Sequence, residues 1–287
     1  MSRVRIVTDS TIRFSNHKFL DRYPVTLAPI TVHCGTAVVE DGPFIDLADV
    51  HRLLENSQEL PTAKAPSPEH MIRIYTQLQS ETDQILSIHT SSGLNNIVAN
   101  AHIARQQFLG RINIQVIDSQ TASIGLGLIV QAASEAAARG EDLDALVRIV
   151  RGMIPRLYMI FFLDDLFYIV HNDLISRSQA ILGNMLGIIP FLTMENGRMI
   201  PMEKVRSRSR AIEKLIEFVF EFSAVEHLAI LQSNMLPTQE SSSIMDRLRS
   251  YHPSSPITIT SYGPVLSTFI GLNSLGVAVL EAEDNSL

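Results

Sequence analysis

Three apolar, β-rich runs break off into small hydroxyl residues, and this repeated break constrains the fold more than any other feature. The run 4–8 leads into Thr8-Asp9-Ser10-Thr11, the run 84–89 into Thr90-Ser91-Ser92-Gly93, and the run 112–117 into Asp118-Ser119-Gln120-Thr121. Helical patterns lie between them. Ser67-Pro68-Glu69 combines a capping serine, a proline at the first helical position and an acid in the first turn. The helix it opens buries Met71, Tyr75 and Leu78. Further helices are predicted over 95–108 and 123–139, and from Asp142 to just before Pro155. Asp46 is positioned to cap a helix with Leu47, Val50, Leu53 and Leu54 on one face, and a strand is predicted over 25–32. Strands alternating with helices in this way require right-handed crossovers and a largely parallel sheet.

After Tyr158 the rhythm changes. Strands are predicted over 158–163, 227–232 and 257–261, and helices over 177–186, 209–222 and 240–250. Ile188 to Pro201 reads as a hairpin turning at Glu195-Asn196-Gly197. The expectation is an α/β protein: a Rossmann-like, mainly parallel-sheet domain over 1–160 and a smaller α+β domain over 161–287.

Composition narrows the function. Only 18% of residues are charged, against about 25% in an ordinary soluble domain, so much of the chain is buried. Cys34 is the single cysteine, which rules out an intrachain disulfide and a cysteine-built zinc site. A reducing, cytoplasmic compartment is expected. The opening residues run straight into a strand and form no signal peptide. A net charge of −7 argues against a nucleic-acid partner. Residues 252–280 carry no Asp, Glu, Lys or Arg, yet prolines and glycines interrupt them. They read as turns and short buried strands, not as a transmembrane segment, which needs about 20 apolar residues.

Hydroxyls at the carboxyl ends of parallel strands lie where open α/β sheets bind ligands, and with free N–H groups they can hold an anion. The same residue types are ordinary caps and turn formers. The usual catalytic signatures are missing. The serine loop lacks the glycine of a hydrolase elbow. Gly125-Leu126-Gly127 has Val130 where a third glycine would stand, and the nine histidines show no metal spacing. No catalytic or metal-binding residue and no cofactor is assigned. Asp164-Asp165 reads as a cation site or a junction turn, and Arg206, Arg208 and Arg210 as a phosphate-binding cluster or a solvated face. The uncharged stretch 181–192 mixes Gly183 and Gly187 with large side chains and suits either plain core or the wall of an apolar tunnel.

Collinear motifs resemble the DegV family of bacterial lipid-binding proteins. They are Val7-Thr8-Asp9-Ser10-Thr11, Ala65-Pro66-Ser67-Pro68-Glu69, Thr90-Ser91-Ser92-Gly93-Leu94, the twelve residues 116–127, Asp164-Asp165-Leu166-Phe167-Tyr168, Gly197-Arg198, Lys204-Val205-Arg206 and Gly263-Pro264-Val265. The resemblance implies a Rossmann-like domain packed on a smaller α+β domain, with a long-chain fatty acid between them. It also implies a non-catalytic carrier whose candidate partner is a fatty-acid kinase subunit. By this resemblance Ser91 and Ser92 hydrogen-bond the acyl carboxylate. The family's Thr-Ser pair falls on Ala63-Lys64 with Thr62 one residue early, and its C-terminal histidine falls on Phe269. Thr62, Lys64 and Phe269 therefore complete the expected head-group site. Two arginines of the family's segment after Tyr168 are replaced by His171 and Leu174. Two other readings stay open: a serine-dependent hydrolase or transferase at Ser91 or Ser92, and a regulatory sensor of another apolar, anionic ligand.

Overall fold

Pro29 divides the β-rich stretch 25–32, because it has no N–H to continue a ladder. A computed structural model describes residues 4–16, 18–43, 45, 50, 52, 59 and 61–283. Within it the predicted strand 25–32 is two strands in two sheets. Strand β2 (Val25–Ala28) pairs in parallel with β1 (Arg5–Asp9), whereas β3 (Thr31–Cys34) pairs antiparallel with β4 (Ala37–Glu40) and β5 (Thr62–Lys64). Of the helix expected after Asp46, all but Val50 and Arg52 lies outside the described residues.

The parallel sheet has the order β2-β1-β6-β7, with β6 at Gln84–His89 and β7 at Asn113–Asp118. The chain leaves β1 for β2 on one side, and β6 and β7 build outward on the other. The topological switch point therefore lies between β1 and β6, where such sheets open a crevice at their carboxyl ends. Before β2, α1 (Phe19–Arg22) stacks Phe19 between Phe14 and Tyr23.

A second sheet has the order β10-β9-β8-β13-β11-β12. Its strands are β8 (Leu157–Phe162), β9 (Ile189–Glu195), β10 (Arg198–Val205), β11 (Val225–Gln232), β12 (Ile257–Ser261) and β13 (Leu275–Glu281). Only β11 and β12 run parallel; the other pairs are antiparallel.

Helices α2 (Pro68–Gln79) and α3 (Ile97–Gln106) cover one face of the parallel sheet, burying Met71, Tyr75, Ile97 and Ala101 against Val7, Ile85 and Ile114. Helix α4 (Ile124–Arg139) lies between the two sheets and shares one core with Ile6, Ile88 and Ile117 of the first and Phe161, Leu231 and Ala278 of the second. Burial from both sides explains why its sequence is so apolar. Helix α5 (Leu143–Met153) packs beside it. After β8 come α6 (Phe167–His171) and α7 (Arg177–Met185). Helices α8 (Arg208–Phe220) and α9 (Gln239–Tyr251) then cover the far face of the six-stranded sheet.

The uncharged stretch 252–280 departs from expectation. Between β12 and β13 it forms helix α10 (Gly263–Ile270), buried almost throughout, where turns and short strands were predicted. Pro264 in its first turn favours the helix start. Because nearly every side is buried, no polar face marks the helical period. Among the described residues no helix is long and apolar enough to cross a membrane.

A buried ion pair joins these parts. Arg13, just after β1, pairs with Asp41, just after β4, at 2.7 Å, with exposures of 3% and 0%. The second Asp41 oxygen accepts the N–H of Val265 at the start of α10. Burial pushes the Asp41 carboxyl up from the ordinary aspartate range, while Arg13 and the N–H groups of Val265 and Gly42 oppose that rise.

Candidate functional site

The hydroxyl-rich ends of β1, β6 and β7 meet at the switch point. Asp9 Oδ1 accepts the Thr11 N–H at 3.2 Å and the Thr11 hydroxyl at 2.6 Å, and Oδ2 accepts the Thr90 N–H at 2.7 Å. The Ser91 N–H donates to the Thr121 carbonyl at 2.9 Å. These bonds hold the serine loop 90–93 between the loops that follow β1 and β7.

The two serines differ. Ser91 is fully buried, and its hydroxyl donates to the Gly197 carbonyl in the turn between β9 and β10. Its oxygen also accepts the Gly93 N–H at 3.1 Å. Ser92 is exposed, and its hydroxyl donates to Asp118 Oδ2 at 2.5 Å. Asp118 Oδ1 in turn accepts the Gln120 N–H at 2.9 Å. Gly197 sits at φ 78°, and a Cβ on Gly93 would collide with its carbonyl oxygen. Glycine at 93 thus lets the hairpin turn rest directly on the serine loop.

A cleft of about 510 Å³ opens beside the loop, and Lys64, Ser92, Asn95 and Asn96 are among its lining residues. The structure therefore brings Lys64 and Ser92 to one cleft, with the buried Ser91 next to Ser92 in the chain. Thr62 is exposed two residues before Lys64, in register with His33 on β3, and does not line this cleft. Phe269 does not line it either. It lies half-buried on α10 against the core shared by both sheets. Helix α10 nevertheless packs against β5, the strand that carries Thr62 and Lys64.

Sequence reasoning missed Asp118 and Gly197 as partners of the serines. Asp118 is legible as a strand-end residue and Gly197 as a hairpin residue, and both fall in the family motifs, but no signal in the sequence pairs either with a serine. His89 is also resolved. It is fully buried, shares a 2.7 Å hydrogen bond through Nε2 with Ser87, and has Nδ1 3.4 Å from Asp9 Oδ2. Its ring is directed to these groups and to neither loop serine. Ser87 also shares a 2.9 Å bond with the Tyr75 hydroxyl, which burial pushes up to about 12.

Both aspartates of the acidic pair, and Arg208 and Arg210 of the basic cluster, have structural partners. Asp164 pairs with Arg208 at 2.5 Å, and Asp165 accepts the Phe167 N–H at the start of α6. Arg208 also forks onto Glu240, and Arg210 pairs with Glu217. In 181–192, Phe191 and Leu192 are core, but Ile181, Leu182 and Met185 are exposed on α7. That half of the stretch is therefore neither packed core nor an enclosed wall. Among the described residues no group of three or more His, Cys, Asp or Glu is placed to hold a metal ion.

Comparison with known proteins gives one answer. The model of the DegV family, described as “Uncharacterised protein, DegV family”, matches residues 3–282. A DegV domain-containing protein of Streptomyces coelicolor is 29% identical over 282 residues, covering 97% of this chain and 99% of that protein. Among solved structures, a fatty acid binding DegV family protein from Streptococcus agalactiae is 22% identical with a TM-score of 0.86, covering 99% of this chain and 100% of the other. A DegV family protein from Thermus thermophilus, described for its fatty acid binding, is 25% identical with a TM-score of 0.81, covering 98% and 100%.

Proposed function

The chain belongs to the DegV family, and we propose that it binds a long-chain fatty acid and presents the acyl head group at the serine loop. In this reading it is a carrier without catalytic chemistry, working in the cytoplasm, with a fatty-acid kinase subunit as candidate partner. The chain divides near 160 into a Rossmann-like domain and an α+β domain that covers the lipid. Ser91, Ser92 and Lys64 serve the carboxylate, with Thr62 and Phe269 at its margin.

One observation carries this reading: an exposed ammonium, Lys64, shares a cleft with the serine loop at the carboxyl edge of a parallel sheet. A carboxylate needs such donors, since burying it without partners is very costly. The tail supplies most of the affinity. At about 0.8 kcal/mol per buried methylene, a tail of about fourteen contributes roughly 11 kcal/mol before ordering costs. The orientation of His89 towards Ser87 and Asp9 favours a carrier over a serine-dependent enzyme.

Two variants test the site. The Ser91→Ala/Ser92→Ala double variant is expected to bind a labelled fatty acid about tenfold more weakly or worse, given charge-assisted hydrogen bonds of about 1.5–3 kcal/mol. Lys64→Ala is expected to lose more affinity for a fatty acid than for the matching alcohol. Unchanged fatty-acid affinity in the folded double variant rejects the serine site, and equal small losses on both ligands remove Lys64 from it.

A further inference from the structure

Asp9 is a fully buried carboxylate whose three hydrogen-bond donors come from two different loops. Thr11 supplies an N–H and a hydroxyl from the loop after β1, and Thr90 supplies an N–H from the loop after β6. The bond to Thr90 crosses the switch point and ends one residue before Ser91. An ionised carboxylate is the side chain that accepts on both ends; asparagine has one accepting oxygen and a donating NH₂. Asparagine at position 9 could therefore satisfy Thr11 or Thr90, but not both.

His89 lies behind the carboxylate. Its Nδ1 is 3.4 Å from Asp9 Oδ2 and makes no hydrogen bond, while Nε2 is tied to Ser87, which is tied to Tyr75. All four side chains are fully buried. The His89 ring is thus anchored from the side opposite Asp9, and the carboxylate has fixed neighbours on each side.

The geometry points to Asp9 as the positioning residue of the head-group site, holding the His89–Thr90 peptide, one residue before Ser91, so that Ser91 meets the ligand in one orientation. The inference rests on the fatty-acid reading. Asp9 acts through Thr90 and does not touch the lipid. A group that merely stabilised the fold would affect every ligand alike. A positioning group affects ligands according to how much they depend on Ser91.

The test is Asp9→Asn in the full chain, with two readouts. Amide hydrogen exchange at residues 90–93 is expected to rise about tenfold while strand β7 is unchanged. Affinity for hexadecanoic acid is expected to fall about tenfold, and affinity for its methyl ester by less than about twofold. Unchanged exchange in the loop, or equal losses on acid and ester, overturns the proposal. If Asp9→Asn does not fold, Thr11→Val removes the hydroxyl donor from the other carboxylate oxygen. It is read in the same way, with a selective loss on the acid supporting the proposal and equal losses overturning it. A wild-type protein that binds neither lipid rejects the fatty-acid reading, and the exchange measurement alone then supports or overturns the hold of Asp9 on the loop.

Discussion

The Ser91 hydroxyl donates to the Gly197 carbonyl, joining the serine loop of the parallel sheet to the β9–β10 turn of the other sheet. Ser91 is fully buried, so its replacement leaves the Gly93 N–H without its acceptor and the Gly197 carbonyl without its donor. Ser91→Ala is expected to destabilise the protein by about 1–3 kcal/mol. Ser92→Ala, at an exposed position, is expected to change stability by less than about 1 kcal/mol. Urea unfolding of the two variants measures the contrast, and equal effects would contradict the assignment of Ser91 as the joint.

Arg13 and Asp41 form the other joint. Removing one partner of a buried pair leaves an uncompensated charge, so Arg13→Met is expected to cost about 3–5 kcal/mol. Asp41→Asn can still accept from Val265, so the double variant Arg13→Met/Asp41→Asn should lose less than the sum of the single changes. Strict additivity in a double-mutant cycle would show that the two residues do not act together.

Two glycines predict opposite signs. A Cβ on Gly127 of α4 would run into the Arg13 carbonyl oxygen, whereas a Cβ on the exposed Gly152 of α5 would meet nothing within 4 Å. Gly127→Ala is expected to destabilise by at least about 2 kcal/mol through backbone displacement. Gly152→Ala is expected to stabilise by about 0.5–1 kcal/mol through helix propensity. Thermal melts of both variants check the pair.

Acid sensitivity should pass through Glu240. Its two hydrogen bonds from Arg208, each 2.8 Å, hold its carboxyl below the ordinary glutamate range. A depressed folded-state pKa contributes stability above the unfolded value and loses it as pH falls through the folded one. The side chains are 35% and 37% exposed, so the contribution is less than about 1 kcal/mol. Glu240→Gln should therefore lower the melting temperature slightly at pH 7, with the gap to wild type closing below about pH 4. A gap that widens in acid would contradict the ion pair's role.

Local signals carried much of the fold. The Ser67-Pro68 start, the Asp142 cap and the turn at Asn196-Gly197 each rest on neighbours in the chain. Pro29 was a readable break in the stretch 25–32, and the expected single strand ignored it. Helix α10 was illegible because burial on nearly every side removes the polar stripe from which helical periodicity is read. The serine loop was legible as a motif, but its partners were not. Asp118 reaches Ser92 only because β7 lies beside β6, and Gly197 reaches Ser91 only because the second sheet brings its turn to that edge. Lys64 stood out as a departure from the family motif. Its place in the cleft follows from β5, a three-residue strand paired antiparallel with β3, too short to leave a pattern.

Mass spectrometry of the organic extract of freshly purified protein tests the central claim most directly. The account predicts about one long-chain fatty acid per chain, or stoichiometric uptake of a labelled fatty acid after delipidation. A protein that yields no lipid and takes up no labelled fatty acid would contradict it.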